Sequence, residues 1–205
     1  MHLTRVEYSR TARGFSLVEL IVVAGLMLVM FVLYYGRGSK QFQSAQQVIC
    51  RQNLQFAFTA LQTYASDNKN LYPRAPGSAS SEAPLSLLVP RSTTKTEIFI
   101  CPGTKRSKLP EGQPFANRRI SYAYVMGLTN NSSADLWILS DEQVSTSPKQ
   151  PGQTVFSIDG KGPGRNHDKY GGDFLWADGR AGFSPAQAAF AVTNPPQTVV
   201  LNPKP

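Results

Sequence analysis

The sequence predicts an α+β fold in which a long N-terminal helix packs on a small antiparallel β-sheet. Three observations carry this expectation. An apolar run extends from Phe15 to Tyr35, and a second helical pattern continues to about Ser66. Beyond it come short runs rich in β-branched and aromatic residues, punctuated by Gly, Pro, Asn and Asp, which read as strands and turns. A long helix followed by strands, rather than an alternation of the two, is the order of an α+β domain. The chain has 205 residues; without its N-terminal segment and apolar run about 170 remain, enough for one core.

As a helix, the Phe15–Tyr35 run reaches about 31 Å at 1.5 Å per residue, matching the roughly 30 Å hydrocarbon core of a bilayer. Only Ser16 and one carboxylate, Glu19, interrupt its apolar character. Arg5, Arg10 and Arg13 precede it, and basic residues beside a first hydrophobic span hold that end in the cytoplasm. A secretory signal peptide carries its small-residue cleavage site after the apolar run. Here the small-residue junction, Gly14-Phe15, lies before it, so a cut there leaves the apolar helix on the mature chain.

Gly36-Arg37-Gly38 is expected to weaken the helix, because two glycines cost about 2 kcal/mol relative to alanines. The pattern then resumes with one stripe of Phe42, Ala45, Ile49 and Phe56 and another of Leu54, Ala57, Phe58, Leu61, Tyr64 and Ala65. Asp67-Asn68-Lys69-Asn70, followed by Pro73 and Pro76, ends it. Pro84–Val89 reads as a short helix. Strands are expected at Glu97–Cys101, Ile120–Val125, Leu136–Leu139 and Val155–Ile158, and a hairpin at Phe174–Ala177 and Arg180–Phe183 about Asp178-Gly179, a pair favoured where both central residues need positive φ. Residues 185–192 read as a short helix. The resulting division is a leader at 1–14, a transmembrane helix at 15–35, its soluble continuation at 36–66, a globular domain at 67–194 and a proline-rich tail at 195–205, extended or disordered.

Arg13-Gly14-Phe15-Ser16-Leu17-Val18-Glu19-Leu20-Ile21 resembles the processing signal of type IV pilins and type II secretion pseudopilins. The resemblance implies cleavage by a prepilin peptidase between Gly14 and Phe15, N-methylation of Phe15, and a pilin-like fold. It further implies a Glu19 that aligns subunits, and a single-pass inner-membrane protein with its N-terminus cytoplasmic and its domain periplasmic. The expected partners are the peptidase, other pilin or pseudopilin subunits, an inner-membrane assembly platform and the lipid bilayer. Cys50-Arg51-Gln52-Asn53-Leu54 leading to Tyr72-Pro73, Phe99-Ile100-Cys101-Pro102, Ser121-Tyr122-Ala123-Tyr124 and the stretch from His167 to Gly179 are together similar to pseudopilin-like proteins of planctomycetes and verrucomicrobia. Their C-terminal module of His, Gly-Gly and Asp-Gly is matched by His167, Gly171, Gly172, Asp178 and Gly179, with Asp173 where an asparagine is usual and one extra residue between His167 and Asp178.

Two cysteines, Cys50 and Cys101, fall on the outer side of the membrane, where they either close a disulfide or stay buried as free thiols; two thiols alone make a poor zinc site. His167, Asp168, Asp173 and Asp178 invite a metal or catalytic reading, with calcium the candidate for Asp168, Asp173 and Asp178. The turn accounts for Asp178 and a strand start for Asp173, so no metal, cofactor or catalysis is assigned, and His167 is expected to serve assembly or ligand contact while the fold stands without it.

The formal charge is +8, or +6 without residues 1–14, which hold three Arg and one Glu. Lys105-Arg106, Lys108 and Arg118-Arg119 read as solvated loop clusters, making nucleic acid a weak expectation. No nucleophile triad, phosphate-binding glycine loop or Cys-x-x-Cys pair is present, which argues against an enzyme. The expected function is a processed subunit of a secretion or pilus-like filament. The alternatives are a minor pilin that binds DNA and an unprocessed single-pass envelope protein.

Overall fold

The computed structural model describes residues 16–36 and 40–205. The expected leader, the Gly14-Phe15 cleavage junction and the weak point at Arg37-Gly38 lie outside them. The chain divides into two units, Met1–Ser39 and Lys40–Pro205.

The first unit contains α1, Leu17–Gly36. Its Leu17–Tyr35 segment has a mean hydropathy of 2.7 and is long and apolar enough to cross a membrane. Every described side chain from Ser16 to Tyr35 is exposed, and Glu19 sits in the first turn.

The second unit is an α+β domain. Its elements are α2 (Lys40–Asp67), α3 (Glu82–Ser86), β1 (Tyr122–Met126), β2 (Trp137–Asp141), β3 (Gly172–Trp176), β4 (Ala181–Ser184) and β5 (Val199–Leu201). The sheet order is β4-β3-β2-β1-β5, antiparallel throughout. Four consecutive strands thus form a meander, and the C-terminal strand returns to close the edge beside β1.

α2 lies against β3, β4 and the 3-10 helix Thr96–Phe99. Its buried positions are Gln43, Gln47, Cys50, Leu54, Ala57, Leu61 and Ala65, with Ala60 beside them. Their spacing of three or four residues keeps one stripe turned to the core. Of the two stripes expected from sequence, Leu54, Ala57, Leu61 and Ala65 are buried and Phe58 and Tyr64 half-buried, whereas Phe42, Ala45, Ile49 and Phe56 are exposed. The buried stripe begins instead with two glutamines, which bind loop residues rather than apolar surface, Gln43 the Asp168 carboxylate and Gln47 the Tyr170 carbonyl.

Several sequence expectations are corrected. Thr96–Phe99 is a 3-10 helix rather than a strand; it buries Thr96, Ile98 and Phe99 while exposing Glu97, a pattern of period three that strand alternation cannot produce. Val155–Ile158 forms no strand, because its amides have scattered partners: Val155 and Phe156 donate to Ala186 O, and Ser157 donates to Gly164 O. The expected helix at 185–192 is irregular chain paired across to 149–155, with Ala188 N donating to Gln153 O and Val192 N to Lys149 O. The short helix begins at Glu82 and ends at Ser86, earlier than expected. The proline-rich tail is not disordered: β5 pairs with β1, Asn202 Nδ2 donates to Gln143 O at 2.8 Å, and Lys204 N donates to the buried Glu82 Oε1 at 2.9 Å.

The β3–β4 hairpin stands where expected, with a different turn. Gly179 has φ of 85°, but Asp178 is not among the positive-φ residues. Gly179 N donates to Trp176 O at 3.0 Å, so a turn through Ala177 and Asp178 is closed by one left-handed glycine, as in a three-residue hairpin loop. Asp178 Oδ1 accepts from Arg180 N at 2.9 Å.

Candidate functional site

The first half of α2 is polar on its inner face, and it grips two loops. Gln46 Nε2 donates to Pro102 O at 3.1 Å and Asn53 Nδ2 to Ile100 O at 3.2 Å, which fixes the turn that follows the 3-10 helix. Gln43 Nε2 donates to Asp168 Oδ2 at 3.0 Å and Gln47 Nε2 to Tyr170 O at 3.4 Å, which fixes the loop before β3. Cys50 lies between these anchors on the same helix. Cys101 is thereby brought beside His167, with Cys101 Sγ 3.4 Å from His167 Nε2.

Gly103 makes this approach possible. A Cβ there would overlap the carbonyl oxygen of Asn166, so only glycine allows the two loops to touch. Gly103 N also donates to Cys101 Sγ at 3.4 Å. The Gly171-Gly172 pair works similarly at the start of β3. Gly171 has φ of 95°, and a Cβ on it would overlap Ser184 O, while one on Gly172 would meet the Phe156 ring at 2.7 Å.

Asp141, the last residue of β2, completes the centre. Its Oδ1 accepts from Cys50 Sγ at 3.2 Å and from Asn166 Nδ2, and its Oδ2 accepts from Asp173 N at 2.8 Å. His167 Nε2 lies 3.4 Å from Asp141 Oδ2 and 3.8 Å from Asp173 Oδ2. Tyr122 on β1, the register partner of Asp141, places its hydroxyl 3.3 Å from Cys50 Sγ. Cys50, Cys101, Tyr122, Asp141, His167 and Asp173 are all 0% exposed. The donor atoms of Cys50, Cys101, Asp141 and His167 all lie within 4.8 Å of one another.

Charges in this dry environment strongly perturb one another. Burial works against an imidazolium at His167, but the Asp141 carboxylate outweighs it and raises the pKa to about 11. Burial, then repulsion from Asp141, pushes Asp173 up to about 8 despite His167 and Arg51. Burial lifts the Cys50 thiol well above its usual range. Burial acts on Cys101 in the same sense, yet hydrogen bonding from Cys50 and His167 brings it below its usual value. Asp173 has an ion pair with Arg51 Nε at 3.6 Å, but neither of its oxygens accepts a hydrogen bond among the described residues, and His167 Nδ1 has no partner there either.

The residues flagged from sequence thus meet unequal fates. Cys50 and Cys101 are adjacent, and both are free thiols. His167 is a fully buried core residue. Asp168, Asp173 and Asp178 do not converge: Asp168 caps Gln43, Asp173 is buried in the centre, and Asp178 serves the hairpin. Asp141 and Tyr122 were missed, although a carboxylate ending the buried run Trp137–Asp141 was the signal that marks Asp141.

The basic loop clusters also come together. Lys105, Arg106, Lys108, Arg118, Arg119 and Arg165 line one cavity, and Arg106 Nη2 is paired with Glu142 Oε2 at 2.6 Å. No protein-family model matches this chain, and neither a curated protein nor a solved structure shows significant similarity to it.

Proposed function

We propose that this protein is a pilin-like structural subunit, anchored by α1 in a membrane and assembled with other subunits through that helix into a secretion-type filament. The observation that carries the reading is α1 itself, exposed and apolar over its whole length with a single carboxylate, Glu19, in its first turn. An ionised group within hydrocarbon is costly and is retained where it has a partner and a task. Processing at Gly14-Phe15 creates such a partner, the new α-amine of Phe15, at a similar depth. Supplied by a neighbouring subunit, it would pair with Glu19 only when the helices stand in register. The exposure of Val48, Ile49 and Phe56 on α2, each near one half, gives adjoining subunits further apolar surface. The reading is non-catalytic, with a prepilin peptidase and an inner-membrane assembly platform as partners and the domain on the periplasmic side.

N-terminal sequencing of protein from its native host tests it: the mature chain should begin Phe-Ser-Leu-Val with a methylated amine, and retention of Met1 in a strain with active prepilin peptidase contradicts it. The cationic cavity at Lys105, Arg106, Lys108, Arg118, Arg119 and Arg165 favours a second reading, a minor subunit that binds DNA. That reading requires binding that weakens steeply with salt.

A further inference from the structure

We infer that Cys50, Cys101, Asp141 and His167 form a closed, four-ligand site for a divalent transition-metal ion of the zinc class, which ties α2, the Cys101 turn, the end of β2 and the His167 loop together. This does not depend on the filament reading.

The geometry carries it. Zinc bonds of about 2.3 Å to sulfur and 2.0 to 2.2 Å to nitrogen or oxygen give a tetrahedron with ligand-to-ligand edges of about 3.3 to 3.8 Å. Here Cys101 Sγ to His167 Nε2 and His167 Nε2 to Asp141 Oδ2 are both 3.4 Å. All four donors fall within 4.8 Å of one another.

Hydrogen bonding alone accounts poorly for the cluster. Nε2 of His167 carries at most one proton, yet it faces Cys101 Sγ, Asp141 Oδ2 and Asp173 Oδ2. Asp173, fully buried beside it, accepts no hydrogen bond among the described residues. A cation at the centre of the four donors accounts for the crowding of Cys101 Sγ and Asp141 Oδ2 about one imidazole nitrogen, since buried acceptors without donors are costly; Asp173, which is not among the four, keeps its ion pair with Arg51. The Gly103 N–H aimed at Cys101 Sγ suits a thiolate.

Ligand chemistry selects the ion. Two thiolates and an imidazole favour zinc over calcium or magnesium, which take oxygen ligands. Four protein ligands, each fully buried, leave no open position, so the site is structural rather than catalytic. On binding, both thiols and Nε2 of the His167 imidazolium release their protons to solvent and no electron is transferred.

The test uses the full-length chain purified in detergent from cells supplied with zinc. Elemental analysis should find zinc in stoichiometric amount, and alkylation after denaturation should label both thiols. Cobalt exchange should give the visible bands of a tetrahedral ion and a thiolate-to-cobalt charge-transfer band. Cys101→Ser should bind zinc at least about tenfold more weakly, the lower end of what loss of even an outer-shell partner costs. A metal-free protein with a Cys50–Cys101 disulfide would overturn the proposal, as would unchanged zinc affinity in Cys101→Ser. Should that variant fail to fold, the cobalt spectrum of the wild-type chain decides, and absence of the charge-transfer band counts against the site.

Discussion

Helix α1 and the buried centre around Cys50 invert the usual partition of side chains in opposite senses. α1 turns apolar groups outward along its whole length, whereas the centre turns two carboxylates, a histidine, two thiols and a tyrosine inward at zero exposure. The first is long and apolar enough to cross a membrane, and a cation is the occupant proposed for the second. The comparison also shows why the two regions differ in what sustains them. An apolar helix in lipid satisfies its backbone internally, while a buried charge depends on every partner that touches it.

The largest effect that separates the regions is expected at Asp141. Asp141→Ala leaves His167, Asn166 and the Asp173 amide without their shared acceptor, and removing one member of a buried charged pair costs about 3 to 5 kcal/mol. Denaturant unfolding of the chelator-treated protein should show that loss. Leu26→Ala in α1, where the side chain is 62% exposed, should change domain unfolding by less than about 0.5 kcal/mol. Comparable losses from the two variants would erase the distinction.

A smaller loss is expected from Gly103→Ala, which touches the centre only through its geometry. The added methyl overlaps Asn166 O and must push the Cys101 turn away from the His167 loop. Overpacking of this kind costs about 1 to 3 kcal/mol. An unchanged unfolding midpoint would show that the loops do not approach so closely.

Lys149 sharpens the comparison as a buried charge outside the centre. Its Nζ donates to Gln143 Oε1 at 3.3 Å, Ser145 O at 2.6 Å and Ser147 O at 2.8 Å, and burial lowers its pKa. A depressed folded pKa means that the native state releases this proton before the unfolded chain does. Stability therefore rises with pH from the lowered value up to the ordinary lysine value near 10.4. Relative to Lys149→Met, the wild type should gain stability as pH rises towards the ordinary lysine value. A gap that narrows as pH rises would contradict the assignment.

What the sequence disclosed follows the range of the interactions involved. α1, most of α2, β1, β2 and the β3–β4 hairpin were legible because apolar periodicity and turn residues act locally. β5 was not, since Val199–Leu201 is a strand only by virtue of its pairing with β1 across the domain. Thr96–Phe99 misled because its apolar residues fit a strand equally well until the surrounding core fixes which of them turn inward. In the centre, Cys50, Cys101 and His167 were each noticed, but as a cysteine pair and a separate C-terminal motif. Their meeting depends on four loop anchors from α2 and on the end of β2. None of these leaves a mark at fixed sequence spacing.

The account of α1 is tested most directly by the incorporation of Glu19→Ala subunits into filaments formed together with wild-type subunits in the native host. The variant should still insert and be processed, because loss of the carboxylate only makes the helix more apolar. Its share of sheared filaments should fall well below its share of the processed membrane pool. Equal shares in the two fractions would contradict the claim that Glu19 aligns subunits.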